Sequence, residues 1–292
     1  MKIAVGLPAY NEEKNIAAII IKLKQITDTI IVCDDGSSDL TSKIASELGA
    51  MTVVHQKNMG YGAAIASLFS KAREIGVDVL ITFDADGQHR LDDIKVVMEP
   101  ILKDEADIVI GSRFLNESSN VPKYRKIGIK TITGLTNVTS GSKITDAQSG
   151  FRAYNSKVLQ DIAPSEHNMG VSTEILIKAA KSKMRIVEVP ITILYDGDTS
   201  THNPVSHGSS VIFSTLKYSA IERPLTFYGI PGTVFLLVGL FFGAWSVQIF
   251  TEDGKLITNI ALIGMGGIIL GTILLITAIL LHSMVSVVRE KR

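Results

Sequence analysis

Asp84 and Asp86 stand two residues apart at the end of an apolar run, in the order Asp84-Ala85-Asp86-Gly87-Gln88. Two carboxylates at i and i+2 after a strand can converge on one cation. Mg2+ and Mn2+ take oxygen ligands and are commonly held by one or two carboxylates together with a substrate's phosphates. Gln88 could add an amide oxygen. An ordinary acidic turn has the same letters, so the pair gains meaning from its company. Arg113 closes another apolar run, in Gly111-Ser112-Arg113, and Arg125 lies in a basic cluster with Lys123, Lys126 and Lys130. Guanidinium groups grip phosphate in a planar, two-pronged way. A cation and arginines together suit a displacement between two phosphate-bearing substrates. The cation stabilises a diphosphate leaving group as a Lewis acid, and a phosphate monoester is ionised at neutral pH, so it attacks without a histidine base.

The elements that must position these residues alternate. Apolar, β-branched runs at 2–7, 29–33, 51–55, 77–83 and 107–110 read as strands, and the stretches 12–27, 62–75 and 91–102 have helical spacing. Ser38 or Asp39 could cap a further helix that ends at Leu48. Such alternation predicts a mostly parallel sheet with helices on both faces, and ligands bind outside the carboxyl ends of such strands. The stretches at those ends, 8–12, 34–37, 84–88 and 111–113, are all polar and carry carboxylates or an arginine. Further on, 124–140 and 172–183 read as helices, 146–154 as a polar turn leading to a short strand, and 185–194 as a strand. Glu174 is either a helix N-terminal carboxylate or a site residue, and Arg152 could pair with Asp146.

Two apolar runs, 225–250 and 256–288, close the chain, separated only by Thr251-Glu252-Asp253-Gly254-Lys255. Each exceeds the roughly 20 residues that cross a bilayer as helix, so they predict a membrane hairpin. The expected organisation is a catalytic domain over 1–204, an amphipathic interfacial helix over 205–224 and two transmembrane helices over 225–288. Glu222-Arg223 precedes the first span and Arg289-Glu290-Lys291-Arg292 follows the second. The positive-inside rule then puts the main domain and the C-terminus on the cytoplasmic side of the cell membrane. Gly264, Gly266, Gly267 and Gly271 supply small residues for close helix contact, either with a second copy in a homo-oligomer or with the first span of the same chain. The 29 Lys and Arg balance the 29 Asp and Glu, which gives no sign of a nucleic-acid partner. Cys33 is the single cysteine, so the chain forms no internal disulfide.

Taken together, Leu7-Pro8-Ala9-Tyr10-Asn11-Glu12-Glu13, Val32-Cys33-Asp34-Asp35-Gly36-Ser37 and the Asp84–Gln88 segment resemble the glycosyltransferase family 2 enzymes of GT-A fold. Gly111-Ser112-Arg113 and Asp146-Ala147-Gln148-Ser149-Gly150-Phe151-Arg152 are similar to the branch that transfers a sugar to a polyprenyl or dolichyl phosphate. The resemblance covers about residues 1–224. It implies that Pro8, Tyr10, Glu12, Asp34 and Asp35 bind the nucleotide-sugar donor, that Asp84, Ala85, Asp86 and Gln88 lie against its diphosphate, and that Asp84, Asp86 and Gln88 hold Mg2+ or Mn2+. It places Arg113 between donor and acceptor phosphates and Arg125 on the acceptor phosphate. His89 is followed by Arg90-Leu91 rather than a proline pair, and the loop Tyr195-Asp196-Gly197-Asp198-Thr199-Ser200-Thr201-His202 lacks a lysine or arginine. Both features lean the expected donor from GDP-mannose toward a UDP-sugar. A processive polysaccharide synthase and a catalytically silent membrane scaffold are the competing readings. The first lacks its acceptor motif here, since Trp245 is the one tryptophan and lies inside the first apolar run.

Overall fold

The computed structural model describes residues 1–85, 87, 89–115, 123–192, 216, 220–221 and 223–290, with the side chains of 123–125 and 286–290 outside that description. The chain divides into two compact units, Met1–Thr215 and Leu216–Arg292.

In the first unit seven strands form one sheet: β1 (Ile3–Ala9), β2 (Thr29–Asp34), β3 (Met51–Val54), β4 (Val79–Thr82), β5 (Ile108–Ser112), β6 (Arg152–Asn155) and β7 (Ile186–Pro190), in the order β3-β2-β1-β4-β6-β5-β7. Every pairing is parallel except those of β6, which runs antiparallel to β4 and β5. The helices are α1 (Ile16–Leu23), α2 (Thr41–Glu47), α3 (Tyr61–Glu74), α4 (Asp93–Leu102), α5 (Lys123–Ser140), α6 (Ser156–Asp161) and α7 (Val171–Lys181).

Successive strand residues point to opposite faces, and here both faces are covered. Ala4, Ile31, Leu80 and Ile108 pack with α3, α6 and α7. Their neighbours Val5, Val32, Ile81 and Val109 pack with α1, α2 and α4. This double burial explains why the strands read as unbroken apolar runs rather than alternating ones. The sheet buries Cys33 completely, and burial, then the nearby charge of Asp35, pushes its thiol up to about 12. It serves as a small core side chain.

The helix expected over 12–27 is shorter. Residues 12–15 form a turn in which the Glu12 carbonyl accepts the N–H groups of Asn15 and Ile16. Asp39 supplies the start of α2: its Oδ1 accepts Thr41 N–H at 2.9 Å and Thr41 Oγ1–H at 2.5 Å. These bonds hold its carboxyl below the ordinary value despite the opposing effect of burial.

In the second unit a π-helical turn, Leu225–Gly229, leads into α8 (Ile230–Asp253), which is followed by α9 (Thr258–Glu290). Gly254, in the left-handed conformation at φ 63°, ends α8 and returns its N–H to the Phe250 carbonyl at 3.0 Å. The apolar stretches Leu225–Asp253 and Thr258–Val285 are long enough to cross a membrane. Their apolar side chains, Leu237, Phe241, Leu262, Met265 and Ile276 among them, are exposed over most of the helix surface. A belt of that size marks a surface that lipid or another apolar partner covers. The two helices meet through glycines. A Cβ on Gly267 would lie 2.7 Å from Gly239 Cα, one on Gly264 2.7 Å from Gly243 N, and one on Gly271 2.8 Å from the Gly232 carbonyl oxygen. Gly266 faces open space. The interfacial helix expected over 205–224 falls almost wholly outside the described residues.

Candidate active site

Asp84 stands two residues beyond β4, with its side chain 30% exposed. Tyr61, the first residue of α3, donates its hydroxyl to Oδ1 at 3.2 Å, and His89 Nε2 meets Oδ2 at 3.4 Å. A carboxylate only accepts, so this Nε2 carries the proton. Burial opposes ionisation of Asp84, but the hydrogen bond and charge of His89, the Tyr61 bond and the charge of Arg113 outweigh it and hold the carboxyl below its ordinary value. The same burial, with Asp84 beside it, pushes Tyr61 well above its ordinary value, so the phenol remains a donor. Gly150 lies directly against this pair. A Cβ there would sit 2.6 Å from Tyr61 Oη and 2.8 Å from Asp84 Oδ2. Thr82, the last residue of β4, holds Gly150 in place by donating its hydroxyl to the Gly150 carbonyl at 2.7 Å. The His89 ring is packed against Phe83 and Phe151, and its buried Nδ1 has no hydrogen-bond partner among the described residues.

Arg113 follows β5. Its Nε donates to Asp146 Oδ2 at 2.6 Å and its Nη2 to Oδ1 at 2.7 Å, while its backbone N–H also reaches Oδ2 at 3.2 Å. Asp146 is completely buried. The turn that carries it is pinned from α5: Asn137 Nδ2 donates to the Ile144 carbonyl at 2.8 Å, Asn137 Oδ1 accepts Ile144 N–H at 2.9 Å, and Thr133 Oγ1 accepts Ala147 N–H at 3.1 Å. Arg152 does not pair with Asp146. It is 1% exposed and donates to the carbonyls of Ala147, Ser149 and Ser172, each at 2.8 Å. Three carbonyl dipoles replace a counterion there, and the guanidinium locks the loop to α7. Glu174, in the first turn of α7, is fully buried, accepts the backbone N–H groups of Ser165 and Glu166, and pairs with Lys178 at 2.6 Å.

At the end of β2, Asp34 accepts Ser37 N–H at 2.9 Å. Asp35 Oδ1 accepts from Met59 N–H at 2.9 Å and His55 Nδ1 at 2.6 Å, and Oδ2 accepts Gly60 N–H at 2.8 Å. His55 is fixed in turn by Ser67 Oγ, 2.8 Å from Nε2. Asp35 therefore ties the β2 end to the turn before α3. Pro8 is buried in β1, Tyr10 is exposed just beyond it, and the Glu12 carboxylate accepts Asn15 Nδ2 at 2.9 Å.

Pro8, Tyr10, Glu12, Asp34, Asp35, Asp84, Ala85 and Arg113 thus all stand at the carboxyl ends of β1, β2, β4 and β5, on one edge of the sheet. Asp86 and Gln88 lie outside the described residues. The Arg125 backbone lies in the first turn of α5, and its side chain is outside the description. Among the described residues no three His, Cys, Asp or Glu side chains gather as metal ligands. Asp84 nonetheless fits a hard divalent ion: it is an ionised, partly exposed oxygen donor oriented by two hydrogen bonds, with no side chain on Gly150 to cover it. Neither Tyr61, which donates to Asp84, nor Gly150 as the floor under Asp84, nor Glu188 of β7 stands out as a contact residue in the sequence. Gly150 carried a signal, being a glycine inside the Asp146–Arg152 motif; Glu188 carried none.

The mostly parallel seven-stranded sheet, covered by helices on both faces, defines an α/β domain of GT-A type. A solved structure of glucosyl-3-phosphoglycerate synthase from Mycobacterium tuberculosis, in complex with Mn2+, UDP and glucosyl-3-phosphoglycerate, shares the fold with a TM-score of 0.56 at 20% identity, covering 74% of this chain and 79% of that one. Residues 4–163 match the family described as "Glycosyl transferase family 2", and the chain belongs to that family. It is 36% identical over 228 residues to the UDP-N-acetylglucosamine–dolichyl-phosphate N-acetylglucosaminyltransferase of Methanococcus voltae, across 70% of this chain and 89% of that protein. It is 31% identical over 224 residues to the dolichyl-phosphate hexose transferase of Haloferax volcanii, across 76% of this chain and 95% of that protein.

Proposed function

We propose that this chain moves a sugar from a nucleotide-sugar, a UDP-sugar in first place and GDP-mannose as the alternative donor, to the phosphate of a polyprenyl or dolichyl lipid. The observation that carries the reading is Arg113. It is a guanidinium held by a buried carboxylate at the end of β5, close enough to Asp84 for its charge to act on that residue. The relatives from Methanococcus voltae and Haloferax volcanii, both named as dolichyl-phosphate transferases, support the acceptor, and the first supports a UDP-sugar.

In this reading Pro8, Tyr10, Glu12, Asp34 and Asp35 bind the nucleoside. Asp84 and Ala85, with Asp86 and Gln88, face the diphosphate. Arg113 lies between the two phosphates and Arg125 grips the acceptor. The acceptor phosphate oxygen attacks the anomeric carbon while the bond to the nucleoside diphosphate breaks and the leaving group takes the bonding pair. A single in-line displacement inverts the anomeric configuration. Mg2+ or Mn2+, held by Asp84, Asp86 and Gln88, supplies Lewis-acid stabilisation of that leaving group when bound; the Mn2+ and UDP of the mycobacterial structure support this choice. Arg113 screens the repulsion between two anionic substrates and keeps the acceptor in line.

The two apolar helices fit a lipid acceptor, whose tail remains in the bilayer while its phosphate comes to the interface. We assign residues 1–204 to catalysis, 205–224 to the interface and 225–288 to two spans, with the catalytic part and the C-terminus cytoplasmic. The test is transfer in detergent with polyprenyl phosphate and a panel of UDP- and GDP-sugars, with and without EDTA. A lipid-linked sugar from one donor, lost with EDTA, is the expected result. A protein that binds UDP with Mn2+ yet forms no lipid product would refute the acceptor.

A further inference from the structure

Glu188 lies in the middle of β7, paired in register with Ile110 of β5. Its two carboxylate oxygens divide between two successive backbone groups: Oε2 accepts Thr145 N–H at 2.8 Å and Oε1 accepts Asp146 N–H at 2.9 Å. Among the described residues no other group accepts these two N–H donors. The Thr145 hydroxyl is also 2.7 Å from Ser112 Oγ, which in turn accepts Phe114 N–H at 3.2 Å. The turn carrying Asp146 is therefore sewn to the strand end carrying Arg113. An unbroken chain of short bonds runs from the Glu188 carboxylate, through the backbone at 145–146, into the Asp146 carboxylate and on to the Arg113 guanidinium.

This arrangement has a chemical consequence. Bonds from N–H groups to an ionised carboxylate are stronger than neutral ones. A chelating carboxylate holds the peptide at 145–146 in position and orientation, and the peptide sets where the buried Asp146 side chain begins. Asp146 engages two of the five N–H donors of the guanidinium, so the plane of Arg113 follows from the position of Asp146. A phosphate-binding guanidinium works only within about 0.5 Å and 10–20° of its productive geometry.

We infer that Glu188 is a positioning residue for sugar transfer, acting through Asp146 to set the plane of Arg113 against the phosphates. The inference rests on the role proposed above for Arg113. Glu188 need not touch either substrate. A purely structural Glu188 would hold β7 to the sheet and would affect folding whatever residue occupied position 113.

The experiment is a double-mutant cycle on the full chain in detergent, with Glu188→Ala, Glu188→Gln, Arg113→Lys and the Glu188→Ala, Arg113→Lys pair. kcat/KM for polyprenyl phosphate should fall about 10–100-fold in Glu188→Ala, the range typical of partners that orient a ligating group. Glu188→Gln keeps one acceptor oxygen and should recover part of that loss. In the Arg113→Lys background, Glu188→Ala should cost less than about twofold, because coupled residues are not additive. An equal loss in both backgrounds overturns the inference, as does a loss that Gln does not lessen. The same cycle read on UDP binding by calorimetry needs no transfer. A wild-type chain that binds UDP but moves no sugar therefore counts against the proposed function, while the binding cycle still decides the role of Glu188.

Discussion

Arg113 and Asp146 lie 33 residues apart in sequence and are joined side to side, Nε to Oδ2 at 2.6 Å and Nη2 to Oδ1 at 2.7 Å, with the carboxylate fully buried. The pair joins the end of β5 to the turn before β6, and it holds the arginine's guanidinium in one orientation.

Asp146→Asn preserves the shape but offers one acceptor oxygen and an amino group where the guanidinium needs two acceptors. Turnover should fall about 10–100-fold. Breaking a buried ion pair from one side typically costs about 3–5 kcal/mol, so the melting temperature should drop as well. Transfer assays and thermal melts in detergent measure both, and an Asn variant with wild-type turnover would remove Asp146 from the site.

Gly150→Ala should disable the site with little effect on the core. The new Cβ would lie 2.6 Å from Tyr61 Oη and 2.8 Å from Asp84 Oδ2, so one of the two must move. Adding Tyr61→Phe removes the nearer atom and should restore part of the Mn2+ affinity measured with UDP present. If Gly150→Ala alone binds Mn2+ normally, Asp84 is not a ligand.

Acid should break the ion pair between Asp107 and Arg185, which stand just before β5 and β7. Asp107 is desolvated, which opposes ionisation, but the Arg185 side chain and backbone and Asn155 more than compensate and hold its carboxyl below the ordinary value of 3.8. A depressed folded value means that the contribution to stability is present above 3.8 and is lost as pH falls through the lower value of the folded state. Asp107→Asn should therefore melt earlier than wild type at neutral pH, with the gap narrowing as pH drops below 3.8. A gap that stays constant through that range would refute the assignment.

The hairpin makes a paired prediction. Gly239→Leu would drive a side chain into the backbone of α9 at Gly267 and Ile268, whereas Gly266→Leu would enter open space. The first variant should separate the two helices and lower the melting temperature of the detergent-purified protein; the second should leave it unchanged. The reverse order would mean that Gly266, not Gly239, faces the contact that matters.

The strands β1, β2, β4 and β5 were legible because buried parallel strands must be apolar on both faces, and Val32-Cys33-Asp34 or Ile81-Thr82-Phe83-Asp84 switches from apolar to charged where the sheet ends, whereas the exposed edge strand β3 was legible from its Thr52-Val53-Val54 run of β-branched residues. Strand β6 was readable as a strand but not as antiparallel, since that depends on which distant edge it meets. Helix α6 was missed. Its six residues are too few to show a period, and it is started by Asn155, whose side chain accepts Val158 N–H at 3.0 Å.

From the sequence alone came the alternation of strands and helices, the two long apolar segments and the acidic and basic residues at the strand ends. These are local signals, written in residue type and spacing. Tertiary structure alone decided the partners. Arg152 went to carbonyls, Asp146 to Arg113, Asp35 to His55, and Glu188 to the backbone of residues 145 and 146. A buried charge must find whatever donor or acceptor the fold brings within about 3 Å, and those groups lie 20 to 43 residues away along the chain for three of these four.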